Sequence, residues 1–531
     1  NKEVKDLTLA ESALLAGLPA SPTRYSPFSY PEAAKARQML VLDRMRELKM
    51  ISQEEYDQAK EEHLNYHVNK AQIKAPHFVF WVKNLLTQKY GIKKVTEGGL
   101  KITTTLDVNI QKMAEATVSA ELTKLEKYKV SNGAALVTEP KTGQILAMVG
   151  SVDYFSEKID GKYNVTTALR QPGSSIKPLN YAVGIETGKI TAASVIYDGP
   201  TCFAQSGQKN YCPTNYGGAY YGLQNVRTSL ASSLNIAAVK VLKINGLETF
   251  VASASAMGLT TFKNASDYGL SLTLGGGEVM MTDMATAFGV LANMGIKQDL
   301  NPVMKVVDKN GKILEEYTHN PGPRVLSRET SYIIQQILSD DGARAMVFGR
   351  GSMLNIKGHP EVAVKTGTTN DMRDNWTIGY TQDYVVATWV GNNDNSRMGN
   401  LVSGTTGAAP IWNKIMTQLL AEKEIKQPTR PAGIVGMNVC NMTGMAIPEG
   451  GCESHYEYFK KEFVPGKQTP VRQTVVINKD TGRMVVDNEE APNAEWQEHL
   501  VIQDAAGVKI CLDCQSIEED QNIKVPAALV R

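Results

Sequence analysis

The sequence predicts an α+β protein whose largest domain, residues 128–430, is one antiparallel sheet built from both of its ends, with helices on the faces. Three observations predict it. Strand-like runs open the domain, in GAALVTEPKTGQILAMVG, around a turn at Pro140–Gly143. A helix-rich block follows to about residue 340. The chain then turns strand-like again in VAVKTGTT, NWTIGYT and YVVATWVG, before a closing helix in PIWNKIMTQLLAEKE.

Composition narrows the rest. At 531 residues the chain is too long for one core, and three or four domains are expected. The formal net charge of +1, with 21% charged residues, points to no nucleic acid and no acidic partner. No apolar run reaches the roughly 18 residues of a membrane span. Seven histidines are scattered without a His-Glu-x-x-His, so no metal mechanism and no cofactor is expected. The six cysteines suit local disulfides first, zinc second and free thiols third. Cys202 and Cys212 flank a polar loop and read as a hairpin staple. Cys511-Leu-Asp-Cys514 reads as a redox pair or half a zinc site, and Cys440 and Cys452 are too far apart to be the usual other half.

In chain order, residues 1–62 read as helices. Thr8-Leu-Ala-Glu11 and Ser52-Gln-Glu-Glu55 are capping boxes, and Pro31 opens a helix with apolar positions at Met39, Leu42, Met45 and Leu48. Residues 63–127 read as a connector. It holds a helix ended by Gly91, the strand-like LKITTTLD, and a helix capped by Asp107. Within residues 128–430 the helical block is interrupted by one hairpin, VMKVVDKNGKILEEYT, turning at Asn310-Gly311. Gly275–Gly277 could cradle a phosphate, but no Gly-Lys-Ser/Thr follows, so a tight turn feeding a buried helix is the expectation. Residues 431–531 read as a small β-rich appendage with four of the six cysteines.

The chemistry is concentrated in RQPGSSIKP. Pro172-Gly173 breaks the backbone, Pro178 suits a first helical turn, and Ser174 therefore lies at or near a helix start. Three residues on, Lys177 shares its face. A partly desolvated lysine can take the proton of a serine hydroxyl, and the helix N-terminus favours the developing anion. Alone the spacing is weak, since Ser206–Lys209 also fits it. Two more elements follow in order: Ser233-Leu-Asn235, with helical sequence on both sides, and Lys365-Thr-Gly367, on a strand. A second Lys-Thr-Gly, at 141–143, precedes the serine and sits in a hairpin turn, so it is set aside. Separately, these residues read as a capping serine, turn residues between helices and a charged edge-strand gatekeeper, and Trp376 as core packing or a pocket wall. Those readings do not explain the order.

The ordered set resembles that of the penicillin-recognising serine enzymes. RQPGSSIKP, LGGGEVMMTDMATAF, KTGTTND and DNWTIGYT resemble segments of a class A penicillin-binding protein transpeptidase domain, nearly continuously from Pro140 to Asn393. LTLAESALLAGLPASPTRYSP and AKARQMLVLDRM resemble the end of that family's peptidoglycan glycosyltransferase domain, whose catalytic glutamates and membrane anchor would lie upstream. The resemblance implies a penicillin-binding transpeptidase or serine β-lactamase-like domain, with a helical glycosyltransferase remnant, a small linker domain and the appendage. It implies an acyltransferase on the extracytoplasmic face of a bacterial membrane. Ser174 would attack a D-alanyl-D-alanine carbonyl, Lys177 would be its base, and Ser233 would relay a proton. Asn235, Lys365, Thr366, Gly367 and Thr368 would bind substrate, with the backbone N–H groups of Ser174 and Thr368 as oxyanion hole. Gly367 would let a substrate strand lie close. Partners implied are peptidoglycan stem peptides, lipid II-derived glycan, β-lactam antibiotics as covalent inhibitors and the cell-wall synthesis machinery.

Three alternatives stand beside this reading. A class A β-lactamase needs a deacylating Glu-x-x-x-Asn, and the match here, Glu316–Asn320, falls on the hairpin's second strand, where a solvated residue is expected. A D,D-carboxypeptidase would use water as acceptor. A non-catalytic β-lactam sensor or scaffold would keep the acylating serine alone, and the glycosyltransferase-like piece argues against it.

Overall fold

The computed structural model describes residues 2–66, 73–204, 209–369, 371–399, 405–467, 471–480, 482–485 and 493–514. Ser206 lies outside them. The chain divides into two compact units, Asn1–Lys74 and Ala75–Arg531.

In the first unit, helices Leu9–Gly17, Pro31–Glu47 and Gln53–Glu61 pack around Ala10, Ala13, Leu42, Tyr56 and Ala59. Both capping boxes form. Glu11 N–H donates to Thr8 Oγ1 at 3.2 Å and Thr8 N–H to the Glu11 carboxylate at 2.9 Å. Ser52 and Glu55 repeat this at 3.1 and 2.7 Å. Glu11 is thereby engaged at its own helix start. Leu48, expected on the apolar face, falls just past the helix end and is exposed.

The second unit is organised by the expected antiparallel sheet, which has five strands. Its order is Ile145–Val149, Asn132–Thr138, Val385–Gly391, Asp374–Tyr380 and Ala363–Thr368. Successive residues alternate between two cores. Ala134, Leu136 and Ala363 face one with the helices Lys177–Glu186, Asn235–Asn245 and Met281–Ala292. Ala135, Val137 and Val364 face the other with the helices Val108–Leu125 and Ala409–Leu420. Burial on both faces explains why Ile145–Val149 and Val385–Gly391 read as largely apolar runs rather than alternating ones.

Long-range packing adds what local patterns did not carry. The helix capped by Asp107 lies on the sheet, where Gln111 donates to Met148 O at 3.1 Å and accepts from Met148 N–H at 2.8 Å. The strand Lys101–Thr104 joins the hairpin strands Val303–Val307 and Ile313–Glu316 in a three-stranded sheet. Glu316 pairs with Lys305 at 2.9 Å on an exposed strand and does not line the cleft described below. That fits a solvated residue, not a deacylating base.

Past residue 431 the chain forms a hairpin, Ile434–Cys440 with Ser454–Lys460, and a sheet of Val471–Asn478, Arg483–Met484, Ala494–Gln503 and Lys509–Cys511. Disulfides join Cys202 to Cys212 and Cys511 to Cys514. Cys440 and Cys452, for which disulfides were the first expectation, are instead free thiols, the first buried and the second half-buried. Among the described residues, His499, Cys511, Asp513 and Cys514 are close enough to share an ion, and the disulfide ties up both sulfurs. No helix among the described residues is long and apolar enough to cross a membrane.

Candidate active site

The Pro172-Gly173 break shapes the site. Gly173 adopts φ +54° and starts a 3-10 turn, Gly173–Ile176, that runs into the helix Lys177–Glu186 with Pro178 in its first turn. Ser174 thus sits one turn ahead of the helix. Three glycines far apart in sequence let this turn seat. A side chain on Gly173 would meet the Thr368 backbone at 2.7 Å. One on Gly275 would meet Gly173 N at 2.3 Å, and one on Gly367 would meet Pro172 O at 2.2 Å and Ser175 N at 2.9 Å. The bare Cα of Gly367 thus faces the protein's own serine turn, a packing reason for glycine that the sequence did not reveal. Trp376 is fully buried and donates from Nε1 to Gln171 O at 2.9 Å, so it is core packing that also holds the turn's entry.

Ser233 lies between the helices Val226–Ala231 and Asn235–Asn245 at φ +63°, a backbone state that L-residues hold only when their surroundings impose it. The strain turns the Ser233 and Leu234 carbonyls onto one amine. Lys177 Nζ donates to Ser233 O at 2.7 Å, Leu234 O at 3.2 Å and Asn235 Oδ1 at 2.7 Å, with Ser233 Oγ at 3.5 Å. Lys365 Nζ donates to the same Ser233 Oγ at 2.8 Å and to Thr366 O at 2.9 Å. Ser233 Oγ therefore stands between two buried amines. The shared-face geometry does not produce a Lys177–Ser174 bond here. Among the described residues the Ser174 hydroxyl makes no hydrogen bond, and the Lys177 amine is drawn toward Ser233 and Asn235 instead.

Both lysines are almost wholly buried, which disfavours their charged forms. Burial first, then the Lys365 charge, holds Lys177 well below the usual lysine range, while Asp198 pulls the other way. Lys365 is pushed down to about 7 by burial, with Arg344 adding to it. Two amines competing for charge around one hydroxyl suit proton transfer near neutrality.

Over these groups lies a cleft of about 490 Å³, lined among others by Ser174, Asn215, Ser233, Asn235, Thr366 and Thr368. Thr368 Oγ1 accepts from Asn375 Nδ2 at 3.0 Å. The three sequence elements, far apart in the chain, thus meet at one place through Ser174, Ser233, Asn235 and Thr366. Sequence reading did not pick out Asn215, Asp198 or Gly275 as parts of the site. Asn215 and Asp198 are polar residues in a loop-rich stretch without a motif, and the glycine run carried only a turn signal.

Comparison with known proteins shows the family. Residues 133–417 match the penicillin binding protein transpeptidase domain, and residues 1–46 match the transglycosylase family. Penicillin-binding protein 1A of Clostridium botulinum is 32% identical over 91% of this chain and 62% of its own length. Penicillin-binding protein 2D of Bacillus subtilis is 31% identical over 89% of this chain and 68% of its own. The chain spans about three fifths of the length of the first of these relatives. The structure of penicillin-binding protein 1A from Haemophilus influenzae superposes with TM-score 0.74 at 23% identity, covering 88% of each chain. PonA1 from Mycobacterium tuberculosis, solved in complex with penicillin V, gives TM-score 0.55 at 23% identity over 70% of this chain and 98% of its own. With more than half its length matched to the family and a transglycosylase segment ahead of that match, this chain belongs to the class A penicillin-binding proteins.

Proposed function

We propose that the chain is a peptidoglycan D,D-transpeptidase that works through a serine acyl-enzyme. The observation that carries the reading is Ser233 Oγ held between the buried Lys177 and Lys365 amines, with Ser233 and Ser174 both lining one cleft. Neutral Lys177 keeps two of its three close hydrogen bonds and turns its lone pair to Ser174. Ser174 Oγ attacks the carbonyl of the penultimate D-alanine of a stem peptide, and its proton passes to Lys177. The backbone N–H groups of Ser174 and Thr368 hold the oxyanion, each worth about 3 kcal/mol of barrier. The peptide C–N bond breaks as the proton moves through Ser233 to the leaving nitrogen, giving an ester and free D-alanine. An acceptor amine then attacks the ester, its proton returns to Ser174 by the same route, and a new amide forms. Lys365, charged when a carboxylate is present, and the hydroxyls of Thr366 and Thr368 fix the donor's terminal carboxylate, and Asn235 its amide.

β-Lactams acylate Ser174 in the same way and stay, since no deacylating carboxylate lines the cleft among the described residues. The whole protein is also a glycan-polymerising glycosyltransferase using lipid II-derived glycan, anchored upstream at the extracytoplasmic face of the membrane and working with the cell-wall synthesis machinery. The test supplies a donor ending in D-Ala-D-Ala and an amine acceptor. Ser174-dependent release of D-alanine with an amide-linked product supports the proposal. Hydrolysis alone would replace it with a carboxypeptidase, and neither product from a β-lactam-labelled protein with a sensor.

A further inference from the structure

A line of hydrogen bonds runs from Lys177 along the cleft wall to a buried carboxylate behind it. Asn235, whose Oδ1 accepts from Lys177 Nζ, donates its backbone N–H to Asn215 Oδ1 at 2.7 Å and its side chain to Thr214 O at 2.7 Å. Asn215 Nδ2 donates to Asp198 Oδ2 at 2.6 Å, and Tyr221 N–H donates to the same oxygen at 3.0 Å. Asp198 is completely buried, and its Oδ1 has no partner. It ends the short strand Val195–Asp198, and the appendage grips that strand from behind. Asp504, in the turn between Ala494–Gln503 and Lys509–Cys511, accepts the Tyr197 N–H at 3.0 Å and pairs with buried Lys240 at 3.2 Å. Lys240 also donates to Tyr197 O at 2.8 Å, and Ala505 N–H to Val195 O at 2.9 Å. Asp504 Oδ1 shapes its own turn by accepting from Ala506 and Val508 N–H.

We infer that Asp198 is a positioning residue for the Lys177 amine, acting through Asn215 and Asn235, and that the C-terminal sheet braces it through Asp504. A buried carboxylate is costly to keep, and this one does not itself line the cleft, so a role in packing alone would be better filled by an apolar side chain. Burial pushes Asp198 up to about 6, while its hydrogen bonds from Asn215 and Tyr221 and the Lys177 and Lys240 charges favour the anion. Lys177 faces Lys365 from the edge strand and Asp198 from this one. Asp198 in turn faces Tyr181 of the serine helix, Tyr197 and Tyr221, and beyond them Lys240 with its partner Asp504. Asp198 is the anionic group acting on Lys177, so it opposes the pull of burial and Lys365 on the amine.

The inference rests on Ser174 and Lys177 acting as proposed above. The experiment measures the rate of covalent labelling by a fluorescent penicillin against pH. Asp198→Asn keeps an acceptor for Asn215 and Tyr221 and removes only the charge. With the anion gone, Lys177 deprotonates more readily, so the low-pH limb of the profile moves to lower pH. Asp198→Ala also loses the bonds, and its labelling rate falls about 10–100-fold. A packing role alone would lower the melting temperature and leave the limb in place, so a superimposable Asp198→Asn profile overturns the inference. If both variants fail to fold, Asn215→Ala decides: a labelling rate equal to the parent's overturns it, and a tenfold or larger loss supports it. Labelling that survives Ser174→Ala would instead overturn the transpeptidase reading, which separates the two failures.

Discussion

Gly367→Ala puts the account of the serine turn under direct strain. The new Cβ would lie 2.2 Å from Pro172 O and 2.9 Å from Ser175 N, where ordinary contact begins at 3.4 Å. Both obstacles are backbone atoms on either side of Ser174, so no rotamer change relieves them. Reaching contact with Pro172 O needs a movement of 3.4 − 2.2 = 1.2 Å in the turn or in the edge strand. Overpacking of this kind costs about 1–3 kcal/mol of stability. A misplacement of about 1 Å at a reacting group costs on the order of 100-fold in rate. The assay is the second-order rate of labelling by a fluorescent penicillin, set beside a urea denaturation curve. We expect a variant that folds, with modestly lower stability and labelling slowed about 100-fold. Labelling at the parent rate would refute the claim that this glycine exists to seat the turn.

Two further predictions concern charge. Lys365→Gln removes the positive neighbour that helps depress Lys177, so Lys177 holds its proton more tightly and the low-pH limb of labelling moves to higher pH, opposite to the shift expected for Asp198→Asn. An unmoved or lowered limb in a pH–rate series would contradict the coupling of the two amines. Arg227 grips the fully buried Glu457 carboxylate at 2.6 and 2.7 Å and Asp340 at 3.2 Å, joining the appendage hairpin to the catalytic unit. Arg227→Ala leaves that carboxylate uncompensated and lowers unfolding free energy by about 3–5 kcal/mol, read by urea denaturation, and a loss below about 1 kcal/mol would contradict it.

The sheet was legible because its five strands are short strand-like runs bounded by turn residues, and because the runs flank a helical block. The caps at Thr8, Ser52 and Asp107 were legible because a cap is decided within four residues. Pairing of Lys101–Thr104 with Val303–Val307 was not, since no local signal spans 200 residues of chain. The site shows the same division. Ser174, Lys177, Ser233, Asn235 and Lys365 were found through three short patterns in a fixed order, and the fold gathers them. The acceptors of the Lys177 amine were not legible, because helical spacing says which side chains share a face but not which acceptors elsewhere compete for them. The glycine contacts, Asn215, Asp198 and the Asp504 brace arise only from tertiary packing, and nothing in their local sequence marks them.

The central claim is that Ser174 is the acylated nucleophile. Intact mass after incubation with a β-lactam, followed over time for the parent and for Ser174→Ala, tests it most directly. The account predicts one adduct per chain that persists for many minutes in the parent and is absent from the variant. An adduct in Ser174→Ala, none in the folded parent, or one lost quickly as the antibiotic is hydrolysed would contradict it.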